Sequence, residues 1–188
     1  MTGKRFFVHI FKSKLLRSLL SVLPMLAVMI VIFLFSGQQG AASAGASNGV
    51  GEWLLGLLDI EIPPGMSASR VPIIFGLNIR KLAHIFLYFL LGGTSFLFAA
   101  AIPIKAARKI KPAISGGIAI VISLLYACLD ELHQYFVPGR AAQLRDVGVD
   151  AIGFCFSVAF CVAVWYAVWL IKGRKQGQQV LEKDKAEL

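Results

Sequence analysis

The stretch AISGGIAIVISLLYACLDELHQYFVPGR, Ala113–Arg140, decides how this chain is read. Its first 17 residues, through Leu129, carry no charge. As a helix they rise about 26 Å, short of the roughly 30 Å of a hydrocarbon core. The helix is therefore expected to continue through Asp130 and Glu131 toward His133. Two carboxylates, an imidazole and the Gln134 amide then sit at a membrane boundary or just inside it. Ionisable groups there cost several kcal/mol unless paired, so they mark functional positions. On a helix Asp130 shares a face with His133 and Gln134, while Glu131 turns toward Tyr135. Pro138-Gly139 reads as a turn, with Arg140 just beyond it.

The rest of the chain suits a lipid solvent. Of 188 residues, 57% are hydrophobic and 15% charged, and the mean hydropathy is +0.75. Soluble domains carry about 25% charged residues. Three further apolar runs are long enough to span: Ser18–Phe35, Leu82–Ile102 and Val147–Ile171. Lipid satisfies no free backbone groups, so each is expected to be a helix. Period-two alternation is absent, which argues against a barrel. The expected fold is an all-α integral membrane bundle of four transmembrane helices. The net charge of +9 does not point to nucleic acid, because the basic residues lie between spans without an interleaved aromatic patch.

Those basic residues set the expected orientation. Fourteen lie on one side, before the first span, between the second and third, and after the fourth. Five lie on the other: Arg70, Arg80, Lys81, Arg140 and Arg145. The positive-inside rule then makes both termini cytoplasmic. Trp165, Tyr166 and Trp169 fall where a cytoplasmic aromatic belt belongs. Residues 1–17 form a basic cytoplasmic segment, 18–171 the membrane domain and 172–188 a polar cytoplasmic tail, expected to be solvated and partly disordered. The basic start, apolar run and Ala42-Ser43-Ala44 or Ala44-Gly45-Ala46 resemble a signal peptide. The run exceeds the usual h-region of about 7–15 residues, so a retained helix is expected.

Residues 37–79 are then extracytoplasmic. Gly37–Gly51, rich in Gly, Ala and Ser, is expected to be mobile. Glu52–Asp59 reads as a short helix, ended by Pro63-Pro64-Gly65. Trp53, Leu54, Leu57 and Leu58 share a face that lies on the membrane surface or packs on the bundle. Cys128, Cys155 and Cys161 lie in apolar runs without CxxC spacing and read as small buried hydrophobes.

The topology gathers the start of span two, the end of span three and the start of span four at one outer face. Arg80, Lys81, Arg140 and Arg145 there meet Asp130, Glu131, Asp146 and Asp150, with His84 and His133 between them. Lys81, His84 and Tyr88 line one helix face; Asp146 and Asp150, four apart, line another, near Gly153. A plainer reading also stands. Asp146 and Asp150 complement a helix N-terminus, and Lys81 snorkels. His84, His133, Asp130, Glu131 and Asp146 are ligand types for a divalent ion, but their spacing matches no metal motif and HExxH is absent. No metal or other cofactor is expected. No serine is placed for a Ser-His-Asp nucleophile.

At these residues the chain resembles the VanZ-like family, named for a teicoplanin-resistance protein. Phe35-Ser36-Gly37-Gln38, Arg80-Lys81-Leu82-Ala83-His84 with Tyr88, Asp130 through Arg140, and Asp146-Val147 with Asp150 and Gly153 carry the likeness. It covers roughly residues 24–168. Asp150 stands where Asn is common in the family, and Ala141-Ala142-Gln143 is less polar than its usual Ser/Gly run. The resemblance implies a four-helix protein of the bacterial cytoplasmic membrane and brings no established reaction. Its named member lowers susceptibility to teicoplanin and related glycopeptides.

Three functions follow as expectations. In the first, the outer cluster of Arg80, Lys81, His84, Asp130, Glu131, His133, Gln134, Arg140, Arg145, Asp146 and Asp150 binds an anionic lipid headgroup, a lipid-linked wall precursor or a wall polymer. In the second, the chain is an enzyme on a lipid-linked phosphate or sugar. His84 or His133 is then the general acid or base, paired with Asp130 or Glu131. In the third, Gly92-Gly93, Gly116-Gly117 and Gly148/Gly153 pack against another membrane protein.

Overall fold

The computed structural model describes residues 3–37, 40–74, 76–140 and 143–186, with side chains for 19–37, 45, 48–73, 76–140 and 143–174. Gln38, Ala141 and Ala142, cited above for the family likeness, lie outside the described residues. Among the described residues five α-helices carry the fold: α1 (Gly3–Ser36), α2 (Gly40–Leu57), α3 (Ile79–Ala101), α4 (Lys111–Tyr135) and α5 (Leu144–Ala186). Four are long and apolar enough to cross a membrane, over Leu19–Ser36, Ile79–Ala101, Lys111–Tyr135 and Leu144–Arg174. α4 continues through Asp130, Glu131 and His133, as its apolar length requires.

α3 is the central helix and packs against α1, α4 and α5, most extensively α5. Met25, Ile32, Tyr88, Leu91, Ala127 and Phe154 form one core cluster, and Phe96, Ala119 and Val158 a second. Close approach of α3 and α5 depends on two glycines. A Cβ on Gly92 would lie 2.8 Å from Phe154 Cα, and one on Gly153 would overlap the Ile85 carbonyl oxygen. The backbones thus meet where a side chain would hold them apart. Gly93 meets Ser157, and Gly116 meets Val158 and Val162. These glycines serve the bundle itself, whereas a Cβ on Gly117 or Gly148 would meet nothing within 4 Å among the described residues.

Large side chains outside these contacts, such as Leu23, Leu34, Leu125, Phe156 and Phe160, are exposed. That is the expected surface of a chain solvated by lipid. Cys128 and Cys155 are exposed as well, and Cys161 is half-buried. Their expected burial fails because a helix apolar on every side carries no period to say which side meets protein.

Two segments differ from expectation. Gly37–Gly51 reads as a mobile linker, yet from Gly40 onward the chain is helical. Ala is the strongest helix former, and contacts with the 3-10 turn Ala68–Arg70 fix the helix. Ser69 N–H donates to Asn48 Oδ1 (3.0 Å), Gly51 abuts the Ala68 backbone, and Leu55 is buried with Ala68 and Val71. α2 ends at Leu57, ahead of the prolines, where Asp59 takes a positive φ of 56°. Trp53, Leu57 and Leu58 stay exposed. The polar tail after Lys172 is also helical, through Ala186. Extending an existing helix avoids the cost of nucleation, and Lys, Glu and Gln are good helix formers.

A two-stranded antiparallel hairpin, β1 (Pro72–Ile74) and β2 (Leu77–Asn78), leads into α3. Asn78 ends the hairpin and caps the helix, its Oδ1 accepting from Lys81 N–H at 3.1 Å.

Candidate functional site

The start of α3, the end of α4 and the start of α5 meet at one end of the bundle, and the end of α1 joins them. The α4–α5 connection turns sharply at Gly139, whose φ of 78° favours glycine, and Arg140 N–H closes the turn on the Val137 carbonyl at 3.1 Å. This sends the Arg140 guanidinium back over the helix ends. One nitrogen donates to Gln134 Oε1 (3.1 Å) and the other to the Phe35 carbonyl at the end of α1 (3.2 Å). Gln134 Nε2 donates to Asp130 Oδ2 (3.0 Å), and Ser36 Oγ donates to the same oxygen (2.9 Å). Asp130, at 4% exposure, is thus held by two neutral donors.

A second set forms where α5 begins. Gln143 N–H donates to Glu131 Oε2 (2.8 Å), and the Gln143 carbonyl accepts from Asp146 N–H (2.8 Å). Lys81 Nζ pairs with Asp146 Oδ1 at 3.3 Å. His84 Nδ1 lies 3.4 Å from Asp150 Oδ1. That exceeds a good hydrogen bond, and neither Asp150 oxygen has a hydrogen-bond partner among the described residues although the side chain is 1% exposed. A buried acceptor left so is costly. Tyr88 lies deeper, fully buried, its ring 6.5 Å from that of His84.

These groups surround a cavity of about 350 Å³. Arg80, Lys81 and Arg140 supply its cations and Glu131, Asp146 and Asp150 its carboxylates. His84 and the amides of Asn78, Gln134 and Gln143 complete its polar wall. All of them fall within residues 21–172, which match the VanZ/LLP1 family model.

The chain belongs to the VanZ/LLP1 family. Neither the curated proteins nor the solved structures compared with it gave a match. In this VanZ/LLP1 chain the cavity gathers eight of the residues singled out from sequence: Arg80, Lys81, His84, Glu131, Gln134, Arg140, Asp146 and Asp150. Asp130 stands behind the wall and holds Gln134. His133 and Arg145 do not line the cavity. His133 stacks on Phe33 of α1, ring centroids 4.3 Å apart and planes within 10°, and Arg145 is exposed. The pairing of His84 also differs from the one expected: its carboxylate neighbour is Asp150, one helix over, and neither Asp130 nor Glu131.

Sequence reasoning passed over three contributors. Asn78 was legible as a cap before an apolar run. Ser36 stood in a family stretch with no role attached. Gln143 acts on Glu131 through its backbone N–H, which no side-chain pattern reveals. Among the described residues, no three His, Cys, Asp or Glu side chains are grouped so as to hold a metal ion. What the cavity offers is cationic donors suited to phosphate oxygens, carboxylates and amides for hydroxyl or amide groups, and one imidazole beside a carboxylate.

Proposed function

We propose that this VanZ/LLP1 protein is a cell-envelope binding protein whose cavity takes the phosphorylated headgroup of an envelope lipid, an anionic phospholipid or a lipid-linked wall precursor. The observation that carries it is the convergence of Arg80, Lys81 and Arg140 on one cavity at the end of a membrane bundle. A ligand with its chain in the bilayer reaches such a cavity without leaving the membrane. With both termini cytoplasmic, the cavity faces outward, where wall precursors are displayed and glycopeptides act. Sequestering or presenting such a precursor would alter glycopeptide susceptibility, including to teicoplanin.

Binding of a polyprenyl phosphate to the purified protein, against the matching polyprenyl alcohol, tests the reading. The phosphate should bind more tightly, and Arg80→Gln should weaken it roughly tenfold, the scale of one charge-assisted hydrogen bond. Equal binding of alcohol and phosphate rejects the proposal.

One contact favours a catalytic reading, His84 Nδ1 beside Asp150 Oδ1. A carboxylate there orients the ring and leaves Nε2 to exchange a proton. His84 would take a proton from water as its oxygen attacks phosphorus, the bond from phosphorus to the lipid oxygen would break, and the imidazolium would return the proton to the departing alkoxide. Incubation with polyprenyl phosphates, with and without chelator, decides between the two. Release of phosphate that is lost in His84→Gln supports catalysis, and binding without turnover supports the first reading.

A further inference from the structure

A second recess lies toward the opposite end of the bundle, on the outer side of α3 and α5, with a volume of about 400 Å³. Its wall is apolar and aromatic. Phe96 is buried and meets Trp165 edge to face, centroids 6.4 Å apart, while Phe160 and Val164 are exposed beside Trp165. Two cations complete it: Arg108 from the α3–α4 connection and Lys172 from α5. Tyr166 OH donates to the Lys109 carbonyl at 2.8 Å, which ties that connection to α5 next to Arg108. Among the described residues, no acidic side chain lines the recess.

We propose that this recess binds an anionic phospholipid, its acyl chain along the aromatic wall and its phosphate between Arg108 and Lys172. Any lipid tail covers an apolar groove in a bilayer equally well, so the wall alone selects nothing. Charge selects. Two cations on one recess, with no carboxylate among its described lining residues, favour a headgroup of net negative charge over a zwitterionic one, and basic recesses between membrane helices bind such headgroups. Trp165 and Trp169 lie in the last turns of the α5 span that ends at Arg174, where indoles are expected to bridge tails and headgroups. The recess shares no residue with the polar cavity, so the two proposals stand or fall separately.

The tryptophans report on it. Replacing Trp53, which is exposed on α2, leaves only Trp165 and Trp169 in a chain of three. The Trp53→Phe protein is placed in phosphatidylcholine nanodiscs doped with phosphatidylglycerol or phosphatidylcholine brominated on the acyl chain. Brominated phosphatidylglycerol should reach half-maximal quenching at a roughly tenfold lower mole fraction, since basic residues near the membrane surface attract anionic lipid. Arg108→Gln with Lys172→Gln should abolish that preference while quenching by brominated phosphatidylcholine is unchanged, which shows the tryptophans still in place. Equal quenching by the two lipids overturns the proposal, as does a preference that survives the double substitution. Protection from both lipids together with a doubled native mass also overturns it, because a second copy of the chain then fills the recess.

Discussion

Ser36 Oγ donates a 2.9 Å hydrogen bond to Asp130 Oδ2, joining the last residue of α1 to α4 across 94 positions of sequence. Gln134 donates to the same oxygen, and Arg140 donates to Gln134 and to the Phe35 carbonyl. One carboxylate therefore organises the contact between the first helix and the wall of the cavity.

Asp130→Ala removes the acceptor for two buried donors. Stability should fall by about 1–3 kcal/mol, the cost of leaving such groups unsatisfied. Asp130→Asn, which keeps one acceptor oxygen, should lose less. Thermal unfolding in detergent measures both, and a neutral Asp130→Ala would show that the network does not hold α1.

Arg140→Lys keeps the charge but loses the fork that reaches two acceptors at once. The last turn of α1 should then exchange its amide hydrogens faster than in the parent, with the middle of the helix unchanged. Uniform protection along α1 in the variant would contradict this.

Gly153→Ala puts a methyl group into the Ile85 carbonyl and should cost several kcal/mol or prevent assembly of α3 on α5. Gly117→Ala, whose added methyl meets nothing within 4 Å among the described residues, should be neutral or stabilise by up to about 1 kcal/mol from helix propensity. The unfolding midpoint should therefore fall in Gly153→Ala and hold or rise in Gly117→Ala.

His84 and Asp150 should act as a unit. In a double-mutant cycle of His84→Gln and Asp150→Asn, read as affinity for polyprenyl phosphate, the coupling should be about 0.5–3 kcal/mol. Strict additivity would mean that the 3.4 Å approach carries no energy toward the ligand.

Orientation is testable with cysteines. Pro138→Cys, at the exposed turn beside the cavity, should react with an impermeant maleimide on intact cells. Arg174→Cys, exposed at the other end, should react only after permeabilisation. The reverse pattern would place the cavity in the cytosol and remove the case for a wall-precursor ligand.

The apolar run Ala113–Leu129 was too short to span alone, and that fact led to α4 continuing through Asp130 and Glu131. Proline and glycine at positions 138 and 139 marked the turn that brings Arg140 back. The Gly/Ala/Ser segment misled, because small residues leave no apolar stripe to read; contacts of Asn48 and Gly51 with the 3-10 turn decided its helix. His133 misled in another way. It shares a helix with Glu131 and Gln134, but whether a position faces the cavity or α1 depends on how α4 is rotated against its neighbours.

Length and hydropathy, set against the thickness of a bilayer, determined from the chain alone that there are four spanning helices and which of their ends carry charge. The tertiary structure decided which side chains meet: Lys81 with Asp146, His84 with Asp150, Ser36 with Asp130, and His133 with the Phe33 ring. The reason is geometric. Solvation in lipid acts on every apolar side of a helix alike, so it fixes where a helix begins and ends but not its rotation, and close packing at Gly92 and Gly153 fixes the rotation.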